Sequence, residues 1–272
     1  MSQPRRTHAQ ARAEMRAGII RLGRDQLETR GAADLSVREI ARGLSVASSA
    51  VYRHVRNRDD LLTLLVVDAY TELADHVERA LDRARQEQRE HQGHSLGTLA
   101  HAVRDWAVEH PARWTLLYGT PVPGYDAEPD DTTAPGTRVM AMFLGIVARG
   151  TGGPGGRGSI TQMTATDSSS PSVSSVSDEL AADLADGIND LDPRDLCIDS
   201  VDNVESADGA DGLDDVSDLS PDLVADVVTA WSGMIGVISA EIFGQLGADL
   251  SAHGSELLDR WITSTNAQLG LG

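Results

Sequence analysis

The chain has no lysine; all 23 of its Lys+Arg residues are arginine. With abundant Ala, Gly and Asp, that bias points to a GC-rich bacterial coding sequence. Cysteine occurs once, at Cys197, which excludes an intrachain disulfide and makes a reducing cytoplasm the simplest compartment. The acidic residues around Cys197 disfavour its thiolate, which argues against a redox sensor. Aromatics are scarce at 4%, so Leu, Val and Ala must supply the core. Long apolar runs are missing as well. The most apolar segment, Leu223 to Leu246, is interrupted by Asp226 and Glu241. Its uncharged run falls short of the roughly 20 residues a bilayer span needs, so a buried helix is expected and no membrane anchor. The opening residues, MSQPRRTHAQARAEMRAG, lack the apolar core of a secretion signal.

Catalytic signatures are absent too. There is no Walker loop, G-x-S-x-G elbow, H-E-x-x-H or dinucleotide fingerprint, so neither an enzyme nor a cofactor is expected. His94 and His101 stand two helical turns apart, but no Cys or acidic residue at matching spacing completes a metal set with them, nor with His91 and His110. The acidic tract never places Gly at the sixth and Glu at the twelfth position of a calcium loop.

What is present is charge, unevenly placed. The 272 residues carry a formal net charge of −19, yet residues 1–60 hold twelve arginines against seven acidic residues, a local +5. From Asp167 to Asp226 the only basic residue is Arg194. The asymmetry, rather than the total, indicates the partners.

Helix signals follow one another along the first 90 residues. Met15, Ile19, Ile20, Gly23 and Leu27 share a face over about Ala11 to Thr29, with Gly31 as the stop. Ser36, with Glu39 three residues on, predicts a capping box. Val37, Ile40, Ala41 and Leu44 then form an apolar stripe. After a tight break at Ser45, ASSAVYRHV starts another short helix, and Asn57 opens a long Leu-rich one. Two short helices joined by a tight turn and backed by a packing helix make a helix-turn-helix, whose second member enters the major groove of DNA. Ser48, Ser49 and Ala50 are small enough there to approach base edges, and Arg38 is long enough to reach guanine. Tyr52 and His54 flank the helix within reach of phosphates, and Arg58 is placed as a phosphate clamp.

LSVREIARGLSVASSAVYRHVRNRDDLL closely resembles the DNA-binding domain of the tetracycline-repressor (TetR) family of bacterial transcriptional regulators, over roughly residues 11–72. The family's L-Y-R-H-F…K…L signature stands here as Val51-Tyr52-Arg53-His54-Val55…Arg58…Leu61. The resemblance implies that Arg38, Ser48, Ser49 and Ala50 face bases, while Ser36, Tyr52, His54 and Arg58 bind backbone. Two departures stand out. The family usually has Gly where this chain has Ser45, at a position expected to need left-handed backbone. Ala47 occupies the usual Ser/Thr capping slot, so Ser48 is expected to cap in its place.

Further on, SLGTLAHAVRDWAVEH, ARWTLLYG and TRVMAMFLGIVARG read as helices, and TPVPGYDAEPDDTTAPG as a Pro-rich loop. Residues 151–220 are a Gly/Ser-rich and acidic low-complexity insertion, expected to be disordered apart from a helical fragment near Leu180 to Ile188. Two readings of it stay open: an expansion that folding tolerates, or a tethered polyanion that competes with DNA for the arginines. Ser220-Pro221 opens a helix over Asp222 to Leu246, and a last helix runs from about Ser255 to Gln268.

HPARWTLLYGTPVPGYDAEPDDTTAPGTRV and AWSGMIGVISAEIFGQL are similar to the C-terminal half of an actinobacterial branch of these regulators. The resemblance implies an all-α fold: a three-helix DNA-binding domain (11–72), a regulatory domain in two parts (73–150 and 221–272), and a two-fold dimer packed through the last helices. It also implies a pocket for a small-molecule effector. Trp106, Trp114, Tyr118, Met142, Trp231 and Met234 can line it, although aromatics and Met at helical spacing also serve as plain core. Gly236, Ala240, Gly244 and Ala248 form a small-residue stripe that admits a partner helix, within one subunit or across the dimer. A double-stranded operator, an effector and a second copy are therefore the expected partners. The rival reading is a non-enzymatic acidic interaction protein that uses the helix-turn-helix for targeting.

Overall fold

The computed structural model describes residues 7–88, 95–126, 129–151, 177, 180, 182–183 and 220–271. Among these residues there are ten α-helices and no strand, so the fold is all-α as the sequence predicts. The helices are α1 (His8–Arg30), α2 (Val37–Gly43), α3 (Ser48–Val51), α4 (Arg58–Gln88) and α5 (Ser95–Glu109). They continue with α6 (Pro111–Tyr118), α7 (Pro129–Thr151), α8 (Pro221–Ile242), α9 (Gly247–Ser251) and α10 (Gly254–Leu269). The chain divides into two compact units, Met1–Leu73 with Ala107–Gly136, and Ala74–Trp106 with Thr137–Gly272.

The first unit closes around Ile19, Val37, Ile40, Ala41, Val51, Val55, Leu61, Leu62 and Leu65, all buried. These are the apolar stripes of α1, α2 and α4, which meet because each helix has only one such face. α1 begins earlier than its apolar spacing indicates, because Thr7 and Gln10 form a reciprocal capping box. It ends at Gly31, where φ of +79° suits glycine.

In the second unit, Ala141 to Ala148 of α7 are buried without interruption, the pattern of a helix covered on all sides. α8 contributes Val224, Val227, Ala230, Met234 and Ile238; α10 contributes Leu258, Ile262 and Leu269. Phe143 meets Trp231 edge-on at 6.0 Å between ring centroids and lies 6.4 Å from Trp261. Arg104 of α5 donates to both carboxylate oxygens of Glu241 at 2.8 and 2.6 Å.

Three expectations need correction. The Pro-rich stretch is not all loop, because α7 already runs from Pro129 and holds Pro135 inside it, where the imide nitrogen forgoes one backbone bond. α8 stops at Ile242, and Gly244 (φ +66°) and Gly247 (φ +75°) turn the chain. Gly244 and Ala248 therefore do not extend the helical stripe begun by Gly236 and Ala240. Third, α8 is the one described helix long and apolar enough to cross a membrane, with a mean hydropathy of 1.6 over 18 residues, yet only 28% of that window is buried. Of the insertion, Leu180, Ala182 and Asp183 are helical and Ser177 caps the turn by accepting from the Leu180 N–H. The rest of 152–219, with Cys197, lies outside the described residues, as do His91 and His94.

Candidate nucleic-acid interface

The helix-turn-helix is held from behind by a residue that its pattern does not advertise. Gln26 of α1 is buried, and its amide grips the Ser36 backbone from both sides: Oε1 accepts from the Ser36 N–H at 2.8 Å, and Nε2 donates to the Ser36 carbonyl at 3.3 Å. The Ser36 hydroxyl accepts from the Glu39 N–H at 3.4 Å, as expected of the cap. The capping box is nevertheless only half made. Gln26 already occupies the Ser36 N–H, and the Glu39 carboxylate turns to Arg30 and Arg42. Periodicity marks Gln26 merely as a position on the inner face of α1; only its neighbour in space reveals the role.

The turn after α2 is built as a helix stop. The Ser45 N–H donates to the Arg42 carbonyl at 3.0 Å and the Val46 N–H to the Ala41 carbonyl at 3.1 Å, the paired bonds of a Schellman motif. Such a motif needs a left-handed residue, and Ser45 supplies it at φ +55°, the one described non-glycine residue with positive φ. The strain anticipated from the family's usual glycine is present.

α3 is a single turn. Its N-cap is Ala47, which offers no side-chain bond, and Ser48 is the first helical residue. Ser48 therefore does not take over the cap, contrary to expectation, and the Ser48 and Ser49 side chains are exposed. Val51 and Val55, buried to within 1%, anchor the segment to the core. Arg38 is exposed on α2, Ala50 is half-buried, Tyr52 is exposed and His54 is half-buried. Arg38, Ser48 and Ser49 thus sit on surface-facing positions of the two short helices, with apolar neighbours turned inward.

Arg58 is engaged within the unit. Its Nη2 donates to the Ala32 carbonyl at 3.0 Å and its Nη1 lies 3.5 Å from the Asp59 carboxylate, while its Nε is buried with no partner among the described residues. It ties the start of α4 to the turn after α1, with its side chain 32% exposed. Asn57 caps α4 by accepting from the Asp60 N–H at 2.7 Å. Arg56 binds Asp60 through its side chain and backbone N–H, which holds the Asp60 carboxyl below its ordinary range.

Behind this face lies an ionic cluster that sequence reading missed. Glu72 of α4 accepts from Arg113 of α6 at 2.7 Å and pairs with Arg24 of α1 at 2.5 Å; Arg24 also donates to Asp68 at 2.7 Å. Burial alone would raise the Glu72 pKa, but Arg113 and Arg24 outweigh it and hold the carboxyl below its ordinary value. Arg24, the Asp68/Glu72 pair and Arg113 lie tens of residues apart, so no local pattern shows it.

The six residues expected at an effector pocket divide between the units. Trp114 and Tyr118 lie together in the first, 4.4 Å between ring centroids, with Tyr70 at 6.2 Å from Tyr118. Trp106, Met142, Trp231 and Met234 belong to the second, and all of these but Trp231 are buried. A groove of about 480 Å³ in the second unit is lined by His76, Arg83, His101 and Asp105 above small side chains, and by none of the six. Among the described residues no cluster of His, Cys, Asp or Glu can hold a metal ion.

Comparison with known proteins bears on the whole chain. Residues 19–65 match the model of bacterial regulatory proteins of the tetR family, and residues 96–265 match that of the tetracyclin repressor-like C-terminal domain. HTH-type transcriptional regulators of Mycobacterium bovis (Mb1846) and Mycobacterium tuberculosis (Rv1816) are each 40% identical over 240 residues, covering 88% of this chain and 86% of theirs. The crystal structure of the regulatory protein SCO4313 shares the fold, with a TM-score of 0.63 at 24% identity over 96% of this chain and 100% of that one. A Rhodococcus sp. RHA1 protein of unknown function does so at 0.53 and 19%, over 97% and 98% of the two chains. With a family model spanning most of the chain and relatives this close, the chain belongs to the TetR family, the DNA-binding regulators of bacterial transcription.

Proposed function

We propose that the protein is a cytoplasmic, effector-responsive repressor that binds a palindromic operator as a homodimer. The observation that carries this reading is the exposed set of Arg38, Ser48 and Ser49 on short helices whose other faces are locked into the core. Arg38 reads a base edge, with Ser48, Ser49 and Ala50 in close approach. Ser36, Tyr52, His54 and Arg58 contact the backbone and set register.

The unburied side of α8 supports a dimer. Val228 and, just past the helix end, Phe243 are 38% and 36% exposed, and a Cβ added at Gly236 would meet nothing within 4 Å. An apolar helix left this bare is stabilised by a second copy. Two DNA-binding heads related by a two-fold axis then meet half-sites about 34–36 Å apart or a multiple of that. The effector is a small, mainly apolar molecule accommodated among Trp106, Met142, Trp231 and Met234 of the second unit. It releases DNA only if it favours the non-binding spacing of the heads; equal affinity for both states shifts nothing.

The test is binding of the full chain to fragmented host DNA, with mass in solution measured in parallel. A dimer that selects a palindrome, and an Arg38→Ala variant that loses about 1–3 kcal/mol at one base position, are expected. Selection of no sequence, or a monomer on DNA, refutes the reading.

A further inference from the structure

The groove of about 480 Å³ in the second unit has no part in the DNA-binding reading, and its lining comes from α4 and α5 alone. Its volume is within the range of small-molecule sites. Ala80 and Ala102 are the more buried of its lining residues, whereas Arg83 and Asp105 are exposed. The groove therefore has a floor of small side chains and a charged rim. Its charge also has a direction. α4 and α5 are joined by only six residues, 89–94, the short link of an antiparallel pair. In keeping with that, α4 enters the unit at Ala74 and α5 leaves it at Trp106. His76 and Asp105 thus share one end of the groove, and Arg83 and Gly97 the other. The seven residues of α4 from His76 to Arg83 set the two ends about 10 Å apart. One end offers a guanidinium, the other a carboxylate.

Neither charge is matched within the fold. Arg83 uses only its Nε, which donates to the Arg79 carbonyl of its own helix at 3.2 Å. No carboxylate among the described residues pairs with its guanidinium. Asp105 has one loose contact, 3.9 Å from Nη1 of Arg104, and Arg104 is itself held by Glu241. Other acidic residues of α4 do find partners: Asp75 and Glu78 pair with Arg138, and Asp82 with Arg85. The imidazoles are available as well. His76 makes no hydrogen bond among the described residues. His101 is fixed from α10, its Nε2 lying 2.8 Å from the Asp259 carboxylate, which leaves Nδ1 as an acceptor in the neutral ring.

We propose that this groove binds a short zwitterion of tripeptide size, its carboxylate on Arg83 and its ammonium on Asp105. An extended chain rises about 3.4 Å per residue, so a tripeptide holds its end charges roughly 10 Å apart, the spacing of the groove. Nη1 and Nη2 of Arg83 form the planar fork that grips a carboxylate with two parallel bonds. His76 and His101 meet the amide groups, and the alanine floor admits only small side chains. The site is separate from the effector position among Trp106, Met142, Trp231 and Met234, none of which lines it, and it does not rest on that reading.

The experiment is calorimetric titration of the full chain, at neutral pH and low salt, with trialanine, its N-acetyl form and its C-terminal amide. Trialanine should bind, and each capped form should bind roughly tenfold more weakly, because one charge-assisted contact is lost. Arg83→Ala should weaken free trialanine by about the same factor and leave the amide at its wild-type affinity. Asp105→Asn should do so for free trialanine and leave the N-acetyl form unchanged. A merely structural role for either residue would weaken free and capped peptides alike, and that result overturns the pairing. Ala80→Leu keeps a strong helix former on α4 but fills the floor, so it should abolish binding with an unchanged melting temperature. Binding that survives Ala80→Leu puts the peptide elsewhere and overturns the site. No heat from trialanine with the wild-type chain overturns the proposal outright and leaves the DNA-binding reading untouched.

Discussion

Replacing Ser45 by glycine should stabilise the protein, and the size of the gain follows from the turn after α2. Ser45 holds φ +55°, in the left-handed region where a side chain costs about 1–2 kcal/mol relative to glycine. Glycine adds freedom to the unfolded chain and returns about 0.4–1 kcal/mol of that. The net is a gain of roughly 0.5–1 kcal/mol. Both bonds of the turn come from backbone N–H groups, so neither is lost with the hydroxyl. For a chain of this size the gain raises Tm by about 1–4 °C. Urea unfolding should show a higher midpoint with an unchanged slope. Ser45→Val tests the same cause from the other side, because a branched Cβ is the worst occupant of left-handed backbone. It should lower the midpoint by at least as much as glycine raises it. A glycine variant no more stable than wild type, together with a tolerated valine, would refute the assignment of strain to this residue.

Three further outcomes can be checked alongside. Ala47→Ser supplies the missing N-cap of α3 and should stabilise by about 0.5–2 kcal/mol in denaturant unfolding, with protection of the Ala50 amide in hydrogen exchange. Gly254→Ala should destabilise by about 1–3 kcal/mol, because its Cβ would overlap the Glu241 carboxylate that Arg104 pins; a neutral result by calorimetry would show that this carboxylate is free to move. Acid should weaken the fold in two steps. Burial and then Arg113 depress the pKa of His110, so the unfolded chain takes the proton first and stability falls as pH drops below about 6.5. Glu72, also depressed in the folded state, adds stability that is complete above its unfolded pKa and is lost as pH falls through its lower folded value. His110→Gln should flatten the first step in a Tm-versus-pH series and leave the second.

Local chemistry alone determined much of this protein. The helix-turn-helix was legible because its signals act between neighbours: the Ser36 cap, the apolar stripe of α2, and the need for left-handed backbone at Ser45 all lie within a few residues of one another. The all-helical class was legible for the same reason, since periodicity reports which face of a segment seeks a core. Where one local signal had two outcomes, the tertiary structure decided. Glu39 was free to close a capping box, but Gln26, ten residues before Ser36, already held the Ser36 N–H. The small-residue pattern from Gly236 to Ala248 looked continuous, yet the chain turns at Gly244 and Gly247, where positive φ ends the helix. Pro135 read as loop but is carried within α7. Contacts across long separations left no pattern at all: Glu72 with Arg24 and Arg113, and Arg104 with Glu241, 137 residues away. A charge attracts whatever the fold brings near, so its partner is a property of the packed chain rather than of the neighbouring letters.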